Sequence, residues 1–368
     1  MKLEIPFQKL KTAVQMVERI AAKHMTLPVL SCILIELGDS TAVFKATNLD
    51  VGIEVSIPVR STESGTIAVP ANILSSFISQ VFDQNQIVKM ETVSGNLNIS
   101  AGKTKGTIKT VPPEDFPVIP TITDAEPVEF PTDVFIKGLK SVWYSSSVSS
   151  VKPELSSVYI YRDNDMLVFA ATDSFRLAEK RLKMPPGAKI SETLIPFKNV
   201  SDTIRILEGM GSMVKMRTNK NLISFETDGM HFVSRVIDGV FPDYKQIIPK
   251  GYSTEAVVLK ADLVNALKIS NIFSDKFNQV HMTIDPKGKV FQVQTKNSDV
   301  GENTTAIDAA LSGDKVEINF NYKYIADCFQ SIDSDSVSLQ LSGLNRPMVI
   351  RPVSGDQTFM YLAMPMTR

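Results

Sequence analysis

VPANILSSFISQV, residues 69–81, is one of three versions of a single segment in this chain. The others are IPFKNVSDTIRIL at 195–207 and FNYKYIADCFQSI at 320–332, so the starts lie 126 and 125 residues apart. Each opens like a strand, passes a polar turn residue and continues with helical spacing: Ile73, Phe77 and Val81 in the first, Ile325 and Phe329 in the last. A second series agrees. ATNLDVGIEV starts at Ala46, ATDSFRLAEK at Ala171 and TKNSDVGENT at Thr295, with offsets of 125 and 124. A third series, LKTAVQMV at Leu10, LKSVWYSS at Leu139 and LKISNIFS at Leu267, precedes them in the same order. A repeat of this length is a whole domain, which predicts triplication and not a solenoid of short units.

Within each repeat the order reads helix, strands, helix, strands. Alternation marks the strands: TAVFKAT and GIEVSIPV, then SVYIYRD and MLVFAAT, then VHMTID and VFQVQT. Turn signals such as Gly38-Asp39-Ser40 and Asp285-Pro286-Lys287 separate them. The expected fold class is α+β: three tandem similar domains, each with two helices against antiparallel sheets. Boundaries are expected in PPEDFPVIPTITDAEP and VFPDYKQIIPKGY, read as semi-extended linkers, giving domains 1–122, 123–249 and 250–368. Three similar domains joined in one sense form an arc. Two arcs meeting head to tail close a six-domain ring, which suggests a partner threaded through the hole.

Composition narrows the function. Hydrophobic residues make up 43% and charged residues 21%, an ordinary globular balance. No run reaches the roughly 20 apolar residues of a membrane helix, so no membrane partner is expected. The start, MKLEIPFQKLKTAVQ, carries scattered charges and no apolar secretory core. Cys32 and Cys328 read as one long-range disulfide or as two reduced thiols in a cytoplasmic protein. The three histidines, 24, 231 and 281, share no metal-ligand spacing, and neither a metal nor another cofactor is expected. No phosphate loop, HExxH helix or GxSxG elbow is present, so no catalytic residue is assigned. The net charge is −1. Nucleic acid is then either no partner or one held loosely.

The C-terminal stretch TFMYLAMPMTR, 358–368, closes on apolar Leu362, Met364 and Met366 with Pro365 among them. It is either a last core strand or one wall of a pocket. TLPVLSCILIE (26–36), ATNLDVGIE (46–54), ATDSFRLA (171–178), VIDGVFPDY (236–244) and the closing MPMTR together resemble the bacterial sliding clamp, the β subunit of DNA polymerase III, along the whole chain. The resemblance implies a homodimeric ring around duplex DNA, held without sequence preference and without chemistry. It implies as partners the polymerase III α subunit, the clamp loader δ subunit and other proteins with a clamp-binding motif, a glutamine followed by leucine and phenylalanine anchors.

The resemblance also implies sites. The partner-peptide cleft would comprise Leu155, Thr172, Ser174, Phe175, Arg176, Leu177, Pro242 and Ile247, with Leu362, Met364, Pro365, Met366 and Arg368 from the tail. Methionines suit a site that accepts many peptides, because the thioether chain repacks easily. Ser174 and Phe175 stand where glycine and histidine are common in the family. DNA would meet Lys9, Lys11, Lys23, His24, Lys137, Lys140, Lys152 and Lys198. The dimer seam would pair Lys103 and Lys105, alternating on one strand face, with Asp299 and Glu302. Ile78, Ile108, Ile272 and Phe273 would supply its apolar part, reduced by Gly106 where relatives carry a large apolar residue.

Two rivals belong to other classes. One is an enzyme on a triplicated scaffold, with Asp173 and Arg176 as its best polar pair. The other is a ring-shaped adaptor with no DNA role.

Overall fold

The computed structural model describes residues 1–21, 27–81, 86–184 and 190–366. Lys23, His24 and Arg368, named above, lie outside the described residues.

The first repeat runs β1 (Lys2–Pro6), α1 (Phe7–Glu18), β2 (Cys32–Leu37), β3 (Thr41–Thr47), β4 (Val51–Pro58), β5 (Arg60–Glu63), β6 (Gly65–Pro70), α2 (Ala71–Ser79), β7 (Ile87–Val93), β8 (Asn96–Ala101) and β9 (Thr104–Ile108). The second runs β10 (Val128–Pro131), α3 (Thr132–Val142), β11 (Ser157–Asp163), β12 (Met166–Thr172), β13 (Arg176–Lys183), β14 (Thr193–Pro196), α4 (Phe197–Leu207), β15 (Met213–Thr218), β16 (Leu222–Thr227) and β17 (Met230–Arg235). The third runs β18 (Thr254–Leu259), α5 (Lys260–Ile272), β19 (Gln279–Asp285), β20 (Val290–Asn297), β21 (Gly301–Ala306), β22 (Ala309–Gly313), β23 (Val316–Asn321), α6 (Tyr322–Cys328), β24 (Ser336–Leu341), β25 (Met348–Pro352) and β26 (Phe359–Ala363).

Among the described residues every α-helix follows directly on a strand. Four of those strands end in proline: Pro6, Pro70, Pro131 and Pro196. Proline cannot donate to the ladder, yet its fixed φ suits helix entry, so it ends the strand and starts the helix. In the third repeat Asn321 caps α6 by accepting from the Lys323 amide at 3.0 Å.

The chain divides into two compact units, each holding part of the second repeat. The first contains a five-stranded sheet, β5-β1-β7-β8-β9, and an eight-stranded sheet, β10-β15-β16-β17-β4-β3-β2-β6. The eight-stranded sheet joins two repeats through the antiparallel pair β4–β17, with Ile53 opposite Phe232 and Gly52 opposite Val233. Gly52 is needed there: a Cβ would stand 2.9 Å from Ile119. Ile119 and Ile122 are buried, so the first linker packs down where the sequence reading had it semi-extended. A row of charges crosses the same sheet, Lys45 to Glu54 at 3.3 Å and Arg217 to Glu226 at 2.5 Å. Between the two carboxylates sits His231, opposite both in register. Both of its ring nitrogens are buried and lack partners among the described residues, and burial lowers its pKa.

The helical phase of α2 differs from the sequence reading. Ala71, Leu74 and Ile78 are buried, Ile73 is exposed and Phe77 half-buried. Both stripes of this helix are apolar, so periodicity alone left the phase open.

The second unit contains a nine-stranded sheet, β14-β11-β12-β13-β26-β25-β24-β18-β22, and a four-stranded sheet, β21-β20-β19-β23. The pair β13–β26 joins repeats here as β4–β17 does in the first unit, with Leu177 opposite Leu362 and Glu179 opposite Met360. Its core includes Tyr161, Val168, Leu177, Phe241, Tyr244, Val349, Met360 and Leu362. The second linker is also packed, as a 3-10 turn (Tyr244–Ile247) with Phe241 stacked on Tyr159 at 4.8 Å. Cys32 and Cys328 are both free and buried, so the disulfide alternative is excluded. No helix among the described residues is long and apolar enough to cross a membrane.

Candidate functional site

The turn between β12 and β13 is built by its own side chains. Asp173 Oδ1 accepts from the amides of Phe175 and Arg176 at 2.9 and 3.0 Å, and Thr172 Oγ1 accepts from Ser174 N at 3.2 Å. The equivalent turn in the first repeat uses Thr47 and Asn48 in the same way. This turn is what the ATNLDV and ATDSFR series encodes. Ser174 has φ +78 and Leu49 has φ +75, the left-handed region that favours glycine. This is the conformation that would suit the glycine expected from the resemblance, and the Asp173 and Thr172 bonds hold serine in it.

The turn holds Phe175 outward, 59% exposed and stacked near Tyr324 with centroids 6.4 Å apart. Arg176 is tied down: Nε meets Asp173 at 2.9 Å, Nη1 meets Asp327 at 2.5 Å, and the guanidinium lies 4.8 Å over the Tyr324 ring. Thr172 donates back to the Arg176 carbonyl at 2.6 Å. These two groups, named above among the cleft residues, are engaged in holding the turn and α6.

Leu177 and Leu362 are fully buried and form the floor of the cluster, where the sequence reading had them as contact surface. Leu155 and Thr172 are also buried. Accessible apolar surface comes from Phe175, Pro242 and Ile247, with half-buried Met364 and Pro365. Met364 packs on the cluster, and its amide donates to the Phe175 carbonyl at 2.8 Å. Met366 parts from it. Its amide donates to the Asn319 carbonyl at 2.8 Å, and its side chain lines a recess of about 880 Å³ with His281, Asn319 and Leu344. The two methionines do not share one wall, because the strand ends at Ala363.

The basic residues differ in their surroundings. Lys137 pairs with Asp333 and Asp356 at 3.0 and 3.1 Å, and Lys198 with Asp50 at 2.7 Å, so both charges are largely neutralised. Lys11 lies half-buried over the Phe7 ring. Lys9, Lys140 and Lys152 are exposed. Lys152 follows a loop whose Val148 and Val151 are also exposed, a feature that no pattern in the sequence signals.

At the expected seam, Ile78 and Ile108 are buried in the first unit and unavailable. Lys103 lies in the turn before β9, so it does not share a strand face with Lys105. Phe77 covers Gly106: a Cβ there would stand 2.8 Å from its ring. Sequence reasoning placed Phe77 only in the helical spacing of α2 and did not assign it to the seam. In the second unit Ile272, Phe277 and Val300 are exposed, and Phe273 lies half-buried beside Gly301. Asp299 is exposed in the turn before β21, and Glu302 on β21 pairs with Lys296 at 3.9 Å.

Comparison with known proteins follows the same order of domains. The chain matches family models described as the DNA polymerase III beta subunit: the N-terminal domain over residues 1–120, the central domain over 129–243 and the C-terminal domain over 245–367. Curated relatives include the beta sliding clamps of Synechococcus elongatus, 25% identical over 372 residues, and Synechocystis sp., 27% identical over 387. Each alignment covers 99% of both chains. The crystal structure of the DNA polymerase sliding clamp from Bacillus subtilis aligns with a TM-score of 0.94 at 24% identity, over 100% of this chain and 99% of that one.

Proposed function

Because this chain belongs to the DNA polymerase III β-subunit family, the β sliding clamps, we propose that two copies close a ring by pairing β21 of each with β9 of the other. The chain is a DNA sliding clamp, a processivity factor without catalysis of its own. One observation carries the seam. The last strand of the first triplet in one repeat pairs with the last strand of the next repeat, as β4–β17 and then β13–β26. Continued once more, the rule gives β21 a partner equivalent to β9. Among the described residues β9 pairs only with β8 and β21 only with β20. Open edges such as these are a liability unless another chain covers them.

The domains are assigned as 1–122, 123–249 and 250–368, and the setting as cytoplasmic. At the seam, Phe77 and Ile73 meet Ile272, Phe273, Phe277 and Val300, with Lys105 facing the Asp299 and Glu302 side. Replacing Ile272 and Phe273 with alanine removes apolar contacts worth roughly 2–5 kcal/mol together. Sedimentation at sub-micromolar concentration is expected to show a monomer. A double variant that stays fully dimeric there refutes this seam.

Lys9, Lys140 and Lys152 give DNA a loose hold that permits sliding. Unloaded protein should bind duplex DNA weakly and without sequence preference. With three phosphate contacts, affinity should fall roughly 40-fold between about 50 and 200 mM salt. Tight, sequence-specific binding that survives high salt would exclude sliding. Retention on closed circular DNA after loading, with loss on linearisation, separates the clamp from a ring adaptor without a DNA role.

The cleft around Phe175, Pro242, Ile247 and Met364 takes apolar anchors of partner peptides, those of the polymerase α subunit and the loader δ subunit included. Met364 covers the buried floor in the free protein, so it is the side chain that moves when a peptide enters.

A further inference from the structure

A basic recess of about 490 Å³ lies on the second unit, walled by Arg181, Lys245, Lys250 and Arg351. Glu179 is the one carboxylate in its lining among the described residues. Two of the cations are paired. Arg181 contacts Asp163 at 2.8 Å and Glu179 at 2.9 Å, and Lys245 contacts Asp163 at 3.3 Å. Among the described residues, no carboxylate stands within salt-bridge distance of Lys250 or Arg351. Arg351 instead donates from Nη2 to the Met360 sulfur at 3.2 Å, a weak acceptor for a guanidinium. Arginine presents a rigid fork matched to carboxylates, and here most of that fork is unanswered.

Its place on the sheet connects it with the cleft. Side chains alternate along a strand, so Leu177, Glu179 and Arg181 share a face of β13, and Leu362 and Met360 share the matching face of β26. Met360 in the recess and Leu362 under the cleft belong to one buried cluster. From Leu177 to Arg181 is about 13 Å along the strand, the least that about four residues of an extended peptide would span in crossing above Tyr244, which bonds to the buried Glu179 between them.

We propose that the recess binds the carboxylate of an acidic residue flanking the apolar anchors of a partner peptide, about four residues from them. The inference rests on the cleft reading above. Charge complementarity selects the occupant: of the four cations, Lys250 and Arg351 have no carboxylate partner among the described residues. A side chain tethered to an anchored peptide also arrives at high effective concentration, so a partly screened contact suffices.

The test uses calorimetry on the whole protein and on the double variant Arg351→Gln, Lys250→Gln. Three peptides carry the same leucine and phenylalanine anchors: one with neutral flanks, one with two aspartates on the N-terminal side, one with them on the C-terminal side. One acidic peptide should bind the unaltered protein about fivefold tighter than the neutral one, the scale of one or two exposed charge pairs. The gain should vanish in the variant, while the neutral peptide binds both proteins alike and so shows that the variant is folded. Equal binding of all three peptides overturns the recess and leaves the cleft standing. A gain that persists in the variant also overturns it. Failure of every peptide to bind overturns the cleft reading and this inference with it.

Discussion

Deleting residues 364–368 should abolish binding of a clamp-motif peptide and leave the dimer intact. A short peptide loses conformational entropy on ordering, so micromolar affinity is expected for the unaltered protein, on the order of −8 kcal/mol. The deletion removes Met364 from the cluster floored by Leu177 and Leu362. It also removes two backbone bonds, Met364 N to Phe175 O and Met366 N to Asn319 O. The first of these fixes the exposed Phe175 turn, so its loss loosens the opposite side of the site as well. A fall of at least about 100-fold in calorimetry, close to 3 kcal/mol, is therefore expected. Folding should survive with a cost of about 1–3 kcal/mol, because the deleted residues lie beyond the last strand. Sedimentation should be unchanged, since Ile272 and Phe273 remain. Unaltered peptide affinity would mean that the tail closes the core and forms no part of a site.

Asp356→Asn should produce the largest loss of stability of any single polar substitution named here. Lys180 is 1% exposed, and its ammonium meets Asp356 at 2.5 Å. Asp356 also receives Lys137 at 3.1 Å and the Thr358 amide at 3.1 Å. Removing one partner of such a pair leaves a buried charge uncompensated, at about 3 kcal/mol or more. Burial alone would raise the Asp356 carboxyl, but hydrogen bonds from Lys180 and Thr358 outweigh it and hold the pKa well below the usual carboxylate range, whereas at Lys180 burial outweighs the bond to Asp356 and lowers the ammonium pKa. The native carboxyl value is thus below the unfolded one. The pair's contribution is fully present above about pH 5 and is lost as pH falls through the native pKa. Denaturant unfolding should show the unaltered protein weakening on acidification, with a smaller slope in the variant. A second variant, Lys180→Met with Asp356→Leu, should recover most of the loss, as buried pairs often can be replaced by apolar groups. A cost under about 0.5 kcal/mol for Asp356→Asn would show that Lys180 reaches water.

The sequence by itself determined the triplication and the order of elements within a repeat. Each rests on local information. Repeat offsets are counted along the chain, and proline at 6, 70, 131 and 196 ends a strand and opens a helix wherever it stands in the fold. The turn chemistry of Thr172 and Asp173 is local too, since its bonds span two to four residues. Tertiary structure alone decided what depends on partners distant in sequence. The phase of α2 was undecidable locally because Ile73 and Phe77 form one apolar stripe and Leu74 and Ile78 another. The layer beneath chose the second. A lysine inside a strand ordinarily reads as exposed, and Lys180 is buried because Asp356, 176 residues away, accepts its charge. Leu177 and Leu362 became floor, and Met364 and Met366 parted, because β26 joins β13 and then ends at Ala363 while Met366 turns to β23. That β9 and β21 are the equivalents left unpaired likewise shows only once β4 has paired with β17 and β13 with β26. Strand pairing between repeats is a long-range choice, set by which hydrogen-bonding edges and apolar faces meet, and no periodicity within a segment encodes it.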